Sequence, residues 1–520
     1  MSKNQRERNR SSIFLNILLI FSLCFFSKIL PASFGRITAD ACGYLDIMRN
    51  ILSGHGPVIS YNLYQKWSGN VFYPALPYMQ PLFSIVIIPI FYIFKSIAAI
   101  NIFNVILSAA NSVILYGLLH KRFNPSLAFW SAILVGISPS MIHTSVFPWT
   151  EQLHLFLLLI SLLFLLSGLE TESGKKMFIA GAISSINCLT RFANLYVIFS
   201  ILLALLFIHH LVKNINKRSL FLFFLGLVLP LFLYELFCVL RYHEFYPAYS
   251  RAAYTFNLAE RFPGAYYKTA GTPILNMPER NTLDQLSLLI HNVPHHIEDF
   301  LDQLGGMSFL IIPIIFYIFY QTNPVEIILL MLLAGNIFGY SLNFYFLSKI
   351  EILRYSLIPY VAIIPLVLIL TQGIGKILKE RFKFIHPKTI FFISVTILLT
   401  IYMKDVFHGN IYFYDKKFVL QQEDYKKQDL TAFHFIEEHS TPTDLIATDH
   451  IQGIFPLNRP TVSLPPEKSV TLLNLKDYLQ IYRPKFILTI TDNYDEFLIK
   501  LGYHIGFHEE FVNVWTKNAN

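Results

Sequence analysis

Five ionisable side chains stand at the ends of long apolar segments, where the acidic ones could transfer protons and the arginines could bind anions. They are Asp40, Glu151, Arg191, Glu351 and Arg354. A carboxylate within hydrogen-bond reach of a hydroxyl group can remove its proton as that group attacks. The planar guanidinium of arginine can donate two charge-assisted hydrogen bonds to neighbouring phosphate oxygens. These residues are the first candidates for a site, and the apolar segments around them must position them.

The composition places these residues in a membrane protein. Of the 520 residues 54% are hydrophobic and 14% are charged, and the apolar residues come in blocks rather than alternating with polar ones. Residues 11–31 are long enough for one crossing, which takes about 20 apolar residues, and they follow the basic stretch KNQRERNR. We read them as an uncleaved first span, because a signal peptide has a shorter apolar core and a small-residue cleavage site.

The basic residues indicate the topology. They cluster in short loops, namely HKR at 120, GKK at 174, KNINKR at 213 and GKILKERFKFIHPK at 375. Such loops normally face the cytoplasm, and we place the N-terminus on the same side. Because these loops account for the net charge of +8, we expect no nucleic-acid partner.

The apolar blocks predict about eleven crossings. Besides the first span they occupy 97–119, 126–144, 151–169, 177–190, 194–212, 219–240, 306–320, 325–347, 356–373 and 389–403. The stretch at 81–94 is short, contains two prolines and would break the alternation of basic loops if it crossed. We therefore read it as a membrane-surface or partly inserted helix, which leaves the C-terminus outside the cytoplasm.

This topology puts all five ionisable residues on the outer side of the membrane. Ionisable groups at membrane depth are costly and usually face a protein interior or a watery cavity. Their shared side predicts one extracytoplasmic site. Locally, Asp40 precedes a short amphipathic helix and can also be read as its N-cap. Asp46 projects away from the apolar face of that helix, so we expect it to be solvated.

Four further stretches appear in a characteristic order along the chain. They are YPALPYMQPLFSIVIIPIFYIF from 73, SPSMIHTSVFPWTEQLHLF from 138, NCLTRFANLYV from 187 and EILRYSLIPYVAIIP from 351. Together with the Asp of the first outer loop, this order resembles the GT-C superfamily of membrane glycosyltransferases. That superfamily uses polyprenyl-phosphate sugars and includes protein O-mannosyltransferases and lipid A aminoarabinose transferases. The resemblance covers essentially the whole chain, although each motif is short.

The resemblance implies an inverting hexosyl or pentosyl transferase with roles for particular residues. Asp40 corresponds to the general base, and Glu151 occupies a second acidic position where the family often has Asp. Arg354 with Tyr355, and then Arg191, would bind the donor phosphate. Each residue also has a purely structural explanation. Glu151 would interact with a helix dipole, Arg354 would pair with Glu351 one turn earlier, and Arg191 would extend from a helix end to the membrane interface.

The chain is expected to contain two domains. Residues 1–403 would form the GT-C-like transmembrane domain, with outer loops at 33–96 and 242–305. Residues 404–520 would form a small extracytoplasmic α/β domain, because a helix-then-strand pattern occurs there twice and KFILTI reads as a buried strand. The loop at 242–305 is aromatic and basic enough to hold a sugar or phosphorylated acceptor, or to pack at the membrane interface.

Neither a metal nor a disulfide framework is predicted. HNVPHHIEDF at 291–300 contains three histidines and two acidic residues, but their spacing matches no defined metal site and favours a polar loop helix. Some GT-C members use a divalent cation, so His55 and Glu151 remain distant candidates for its ligands. Three cysteines lie in apolar blocks and Cys42 stands alone, which supports no disulfide pattern.

The implied partners are a polyprenyl-phosphate sugar donor, membrane lipids, and an acceptor that is lipid A or another glycolipid, a surface polysaccharide or a protein. The implied location is the inner membrane of a bacterium. The alternative function is a polytopic transporter or lipid flippase. Transporters often contain internal repeats and broken helices at the bilayer midplane, whereas this chain has no evident repeat. A third hypothesis is a structural or sensory membrane protein. Such a protein would not require carboxylates and arginines at the membrane edge.

Overall fold

The protein is described by a computed structural model, in which two compact units are present. The first comprises residues 1–36, 90–236 and 280–414, and the second comprises 37–89, 237–279 and 415–520. The structure describes residues 3–33, 38–57, 61–62, 80–191, 193–212, 215–242, 294, 323–343, 354–381, 386–407, 431–441, 443–449, 459, 461–464, 472–490, 494–509 and 512–517.

Helices make up the described part of the first unit. They are α1 (Lys3–Ser33), α4 (Ile97–His120), α5 (Pro125–Gly136), α6 (Pro139–Ser145), α7 (Glu151–Thr171), α8 (Gly174–Cys188), α9 (Asn194–Leu211), α10 (Lys217–Tyr242), α11 (Pro324–Asn343), α12 (Leu357–Arg381) and α13 (Pro387–Phe407). Helix α10 extends beyond the unit's boundary at 236. Among the described residues, five helices have the length and composition to cross a membrane, or six if α5 and α6 form one span.

These helices follow the predicted apolar blocks, apart from the block at 306–320, which lies outside the described residues. The block at 126–144 was expected to be one crossing, but it is divided into α5 and α6, which meet at an angle of 53°. Ser138 caps the second helix by accepting a hydrogen bond from Met141 N, and Pro139 occupies its first position. A capping serine followed by proline starts a new helix, which explains the break.

Apolar helices of the first unit have two different environments. In α12 83% of the most apolar window is buried inside the protein, against 17% in α1 and 22% in α10. Helix α10 exposes large side chains such as Phe221 and Leu240. A helix that is apolar on all sides must be surrounded by protein or by lipid. Helix α12 therefore belongs to the protein core, whereas α1 and α10 present apolar surfaces suited to lipid.

Helices α8 and α10 approach each other closely through two reciprocal glycines. A Cβ atom added at Gly181 would lie 2.1 Å from the carbonyl oxygen of Phe223, and one added at Gly226 would lie 2.2 Å from that of Phe178. Small residues allow membrane helices to pack with their backbones in close contact. The two glycines thus set the separation of these helices.

Replacing Gly181 by alanine should lower the free energy of unfolding by about 1–3 kcal/mol, because the obstructing atom belongs to the backbone and overpacking has this cost. Thermal unfolding of the purified protein in detergent would measure the change. Gly117 is the matched control, since a Cβ added there meets nothing within 4 Å. Gly117→Ala should be neutral or slightly stabilising. Equal stability of the Gly181 and Gly117 variants would contradict this packing.

The described residues of the second unit form a mixed sheet of six strands. Its strands are β1 (Tyr61–Asn62), β2 (Ile446–Thr448), β3 (Thr461–Ser463), β4 (Phe486–Thr489), β5 (Tyr503–Glu509) and β6 (Val512–Lys517), in the order β1-β3-β2-β4-β6-β5. The first four strands are parallel, and β6 pairs antiparallel with both β4 and β5. Strand β1 comes from the segment 33–96 that was predicted to be the first outer loop, so this segment contributes to the sheet.

Apolar residues on both faces explain why the central strands are buried. On one face Ala447, Ile487 and Trp515 pack with residues of α14 (Leu472–Tyr482). On the other face Ile446, Phe486 and Val514 pack with the helical residues 431–439. Strands buried on both faces read as continuous apolar runs, as KFILTI does. A short helix α15 (Asp495–Lys500) precedes β5.

The predicted fold class is confirmed: the protein is a polytopic α-helical membrane protein with a small C-terminal α/β portion. The remaining described helices are α2 (Ala39–Leu52) and α3 (Leu82–Phe94). Helix α3 covers the stretch that was predicted to be a short outer helix. The domain boundary at residue 404 stays a prediction.

Candidate functional site

Glu151 occupies the first position of α7, where the chain re-enters a long helix after the break around α6. Its side chain is only 2% exposed. Asparagines on α4 fix this junction, since Asn104 Nδ2 donates to the carbonyl oxygens of Phe147 and Trp149 at 2.6 and 2.9 Å. Asn111 Nδ2 donates to Gln152 O at 3.0 Å. The position of Glu151 is therefore determined by a polar face of the neighbouring helix.

Two arginines from distant parts of the chain converge on this carboxylate. Arg191 lies in the turn between α8 and α9 and donates through Nη1 to Glu151 Oε1. Arg354 lies just before α12 and donates through Nε to the same oxygen. Both guanidinium groups are largely buried, at 11% and 10% side-chain exposure. The structure thus brings together three of the five ionisable residues singled out from the sequence.

Aromatic rings complete the environment of the two guanidinium groups. The Cζ atom of Arg354 lies 4.6 Å from the ring centroid of Trp149, and that of Arg191 lies 5.1 Å from the ring centroid of Tyr355. The ring of His143 packs edge-on against Trp149 at 5.1 Å. Cation–π contacts of this kind are more favourable in a desolvated site than at the surface.

Among the described residues of this cluster, one carboxylate contacts two guanidinium groups. Glu151 Oε2 is buried and has no hydrogen-bond partner among the described residues. An acceptor in this position can take a hydrogen bond from a ligand hydroxyl group. A guanidinium has five N–H donors, so an arginine can serve a carboxylate and a phosphate together. The arrangement is chemically suited to binding an anion that also carries hydroxyl groups.

Glu151→Gln should lower the free energy of unfolding by about 3–5 kcal/mol, because removing one partner of a buried ion pair leaves uncompensated charge. Here the substitution removes the carboxylate that both Arg191 and Arg354 contact. Thermal unfolding in detergent would measure the change. The control is Glu170→Gln on the same helix, because Glu170 is 54% exposed where it pairs with Arg122. That substitution should cost at most about 1 kcal/mol. Similar losses in both variants would argue against a special role for the buried cluster.

The structure tests the purely structural explanations that the sequence allowed for the two arginines and for Glu151. Arg191 was also read as extending to the membrane interface, but its guanidinium pairs with Glu151. Arg354 was also read as pairing with Glu351; the observed partner is Glu151, and Glu351 lies outside the described residues. Glu151 stands at a helix N-terminus, as its structural explanation required, and additionally binds both arginines.

Asp40 belongs to the second unit, where it is the second residue of α2. The interpretation that it caps this helix is wrong, because Thr38 is the N-cap and its hydroxyl accepts a hydrogen bond from Ala41 N. The side chain of Asp40 lies outside the described part of the structure. Its role as a base stays a prediction.

The expectation that Asp46 is solvated is wrong. Asp46 is 2% exposed, forms an ion pair with Arg49 and accepts a hydrogen bond from Asn50 Nδ2 at 3.4 Å. Its polar partners lie three and four residues later on the same helical face. Burial of this face therefore includes a compensated charge, which the apolar spacing of the sequence alone did not indicate.

The metal candidates do not form a cluster in the described part of the chain, where no group of three or more potential ligands could hold a metal ion. His55 is exposed. The 291–300 stretch lies outside the described residues apart from Pro294, and of the predicted outer loop at 242–305 only Tyr242 and Pro294 are described. All four cysteines are buried, and none of them forms a disulfide bond among the described residues.

Trp149, His143 and Asn104 were not assigned to the site from the sequence. Trp149 stands two residues before Glu151. An aromatic ring close to a carboxylate can bind a guanidinium group, so this pair of residues was a signal in the sequence for the contact with Arg354. The contribution of Asn104 comes from a helix 43 residues earlier. Nothing local in the sequence connects it with the site.

Comparison with known proteins gives one family match and a series of structural matches. Residues 76–236 match the family of dolichyl-phosphate-mannose-protein mannosyltransferases. ArnT from Cupriavidus metallidurans bound to undecaprenyl phosphate has 12% identity and a TM-score of 0.55, with 98% of each chain covered. The comparison with curated protein sequences gives no significant match.

The oligosaccharyltransferase of Archaeoglobus fulgidus also resembles the chain. Its complex with zinc and sulfate has 13% identity and a TM-score of 0.58, covering 93% of this chain and 69% of that one. The form tethered to an acceptor peptide has 12% identity and a TM-score of 0.56, covering 98% and 74%. The chain has the GT-C membrane fold.

The GT-C prediction made from the ordered motifs is therefore confirmed at the level of the fold. The family match includes Glu151 and Arg191, while Asp40 and Arg354 lie outside it. In this protein the acidic residue after the broken span and the arginine before α12 meet in one buried cluster. The roles of the individual residues are taken up below.

Proposed function

We propose that the protein is an inverting glycosyltransferase that moves a hexosyl or pentosyl group from a polyprenyl-phosphate donor to an extracytoplasmic acceptor. The observation that carries this proposal is the buried pair of arginines around Glu151 in a protein with the GT-C fold. The undecaprenyl phosphate bound to the structurally similar ArnT has a head group that such a pair can bind. The acceptor would be lipid A, a surface polysaccharide or a protein.

The proposed reaction exchanges one bond at the anomeric carbon for another. Asp40 accepts the proton of the acceptor hydroxyl, whose oxygen attacks the anomeric carbon from the face opposite the phosphate. The bond between that carbon and the phosphate oxygen breaks, and its electrons remain on the departing polyprenyl phosphate. The phosphate gains one negative charge in this step, so donors placed beside it lower the barrier.

The residues of the cluster have different roles in binding the donor. Arg354 and Arg191 donate hydrogen bonds to the phosphate, and Tyr355 holds the guanidinium of Arg191 by the contact described above. Glu151 keeps the two arginines together through Oε1 and offers Oε2 to a hydroxyl of the substrate. Should a divalent cation take part, Glu151 is the carboxylate of the cluster that would bind it.

We further propose that the protein resides in a bacterial inner membrane, with the N-terminus in the cytoplasm and the cluster and the C-terminal α/β portion outside. The basic loops support this orientation. The donor would then be used in the outer leaflet, after its transfer across the membrane. The product belongs to the cell envelope.

Transfer of radiolabelled sugar tests the proposal. Purified protein in lipid nanodiscs would receive a panel of polyprenyl-phosphate monosaccharides, with membrane extract as acceptor. Label should enter a product from one donor, and the anomeric configuration of that product should be inverted. If the folded protein consumes none of the donors, the proposal fails and the transporter or flippase alternative takes its place.

A further inference from the structure

A second polar cluster adjoins the turn that carries Arg191. The proposed reaction does not use it. It consists of His154 on α7, and Asn187, Thr190 and Asn194 around the turn between α8 and α9. All four residues are buried, with exposures of 2%, 0%, 0% and 1%. Because burying unpaired polar groups is costly, a set of this size requires its internal hydrogen bonds.

Asn187 bridges to His154 at two points. Its Nδ2 donates to the backbone oxygen of His154 at 3.0 Å, and its Oδ1 lies 3.1 Å from His154 Nδ1. Since Oδ1 can only accept, the proton lies on Nδ1 of the imidazole. Thr190 Oγ1 also donates to Asn187 Oδ1, at 2.7 Å. The asparagine thus connects the first turn of α7 with the end of α8.

The same asparagine holds the backbone on which Arg191 stands. The amide of Arg191 donates to Asn187 O at 3.3 Å, and the amide of Asn194 donates to Arg191 O at 3.0 Å. Asn194 in turn accepts from Asn187 Nδ2 at 3.2 Å. His154 lies three residues after Glu151, which places both on one face of α7. The helix that carries the carboxylate is therefore joined by side chains to the turn that carries its arginine.

We propose that His154 and Asn187 form a clamp that positions Arg191 for the donor phosphate, with His154 acting through Asn187 and not on the substrate. This inference rests on the function proposed above. A displacement of about 1 Å in a positioned catalytic group can reduce a rate about a hundredfold. Loss of the clamp should accordingly weaken use of the donor more than use of the acceptor.

Three substitutions at His154 separate positioning from contact with a ligand. Asparagine places an N–H close to the position of Nδ1, glutamine places its amide close to the position of Nε2, and leucine has neither group. We expect His154→Leu and His154→Gln to bind undecaprenyl phosphate about tenfold more weakly than wild type. His154→Asn should bind it within about threefold of wild type, because the bond to Asn187 is restored.

Ser161 provides a matched control, since it also links α7 to α8. Its hydroxyl lies 2.9 Å from Ala180 O and 2.7 Å from Ser184 Oγ, and it is fully buried. Ser161→Ala should reduce thermal stability, as the loss of a buried link does, without changing the affinity for undecaprenyl phosphate. A measurement of binding thus separates the positioning of Arg191 from a general weakening of the packing between α7 and α8.

Affinity for undecaprenyl phosphate in nanodiscs is the measurement for all of these variants. Wild-type affinity in His154→Leu, or restoration by glutamine and not by asparagine, would overturn the clamp and leave the proposed function intact. Equal weakening in Ser161→Ala would overturn it as well. If wild type itself binds no undecaprenyl phosphate, the proposed function fails, and the assigned role of the clamp fails with it.

Discussion

Asp40→Asn should reduce the turnover of sugar transfer by about 10²–10⁴-fold, the range lost when a general base is removed. Asparagine has nearly the size of aspartate but cannot accept the acceptor proton. The affinity for the donor should remain close to that of wild type, because the phosphate is assigned to arginines on other segments. Single-turnover transfer with saturating donor would measure the loss.

Thr38 gives the control for this variant. Its hydroxyl caps the helix on which Asp40 lies, so Thr38→Ala weakens the helix by about 1 kcal/mol and retains the carboxylate. We expect Thr38→Ala to keep most of the activity. Near-normal turnover in a folded Asp40→Asn protein would exclude Asp40 as the base, and an equal loss in both variants would assign its effect to the helix.

Arg354→Ala should lower turnover by about 10²–10³-fold, the usual effect of removing one donor from a site where negative charge develops. The guanidinium lies between Trp149 and the carboxylate of Glu151, so no solvent cation replaces it in the same geometry. Arg354→Lys should recover only part of the rate, because lysine keeps the charge and loses the planar fork. Initial rates with varied donor and varied acceptor would separate the effects on the two substrates.

Arg122 is the matched control for Arg354. It is an arginine of similar exposure, at 11%, and it pairs with Glu170 near the opposite end of α7 from Glu151. Arg122→Ala should leave transfer within about twofold of wild type, since paired arginines away from the site contribute little. Unchanged kinetics in a folded Arg354→Ala protein would mean that this arginine only neutralises Glu151.

The membrane part of the fold could be predicted because crossing a bilayer imposes length and composition on each helix. Helices α4 and α7 begin and end close to the predicted apolar blocks, whereas α12 begins with its block and extends beyond it to Arg381. The break between α5 and α6 was missed because hydropathy averages over the Ser138-Pro139 pair, which acts through backbone hydrogen bonding.

The residues of the site could be predicted from the sequence, but the contacts between them could not. Glu151 and Arg354 are 203 residues apart in the chain, whereas a helical ion pair with Glu351 was only three residues away. Local spacing therefore favoured the nearer partner, and only the folded structure, in which Arg354 donates to Glu151, reveals the more distant one. The pairing of β1 with β3 was hidden for the same reason, since a two-residue strand has no periodicity of its own.

Polar residues inside helices were the weakest part of the sequence interpretation. Asp46 was predicted to lie on a solvated face, yet it is buried and forms an ion pair with Arg49. Asn187 was read as part of an apolar segment, yet its side-chain amide joins two helices. A buried polar group is stable only with its partners, and these partners are known only when the helices are assembled.

The decisive measurement is an experimental structure of the protein in nanodiscs with undecaprenyl phosphate bound. We expect density for the phosphate within hydrogen-bond distance of the guanidinium groups of Arg354 and Arg191, with Glu151 still bound to both. A phosphate bound elsewhere, with the cluster of Glu151, Arg191 and Arg354 unchanged, would show that these arginines do not bind the donor and that the cluster is a buried structural ion network.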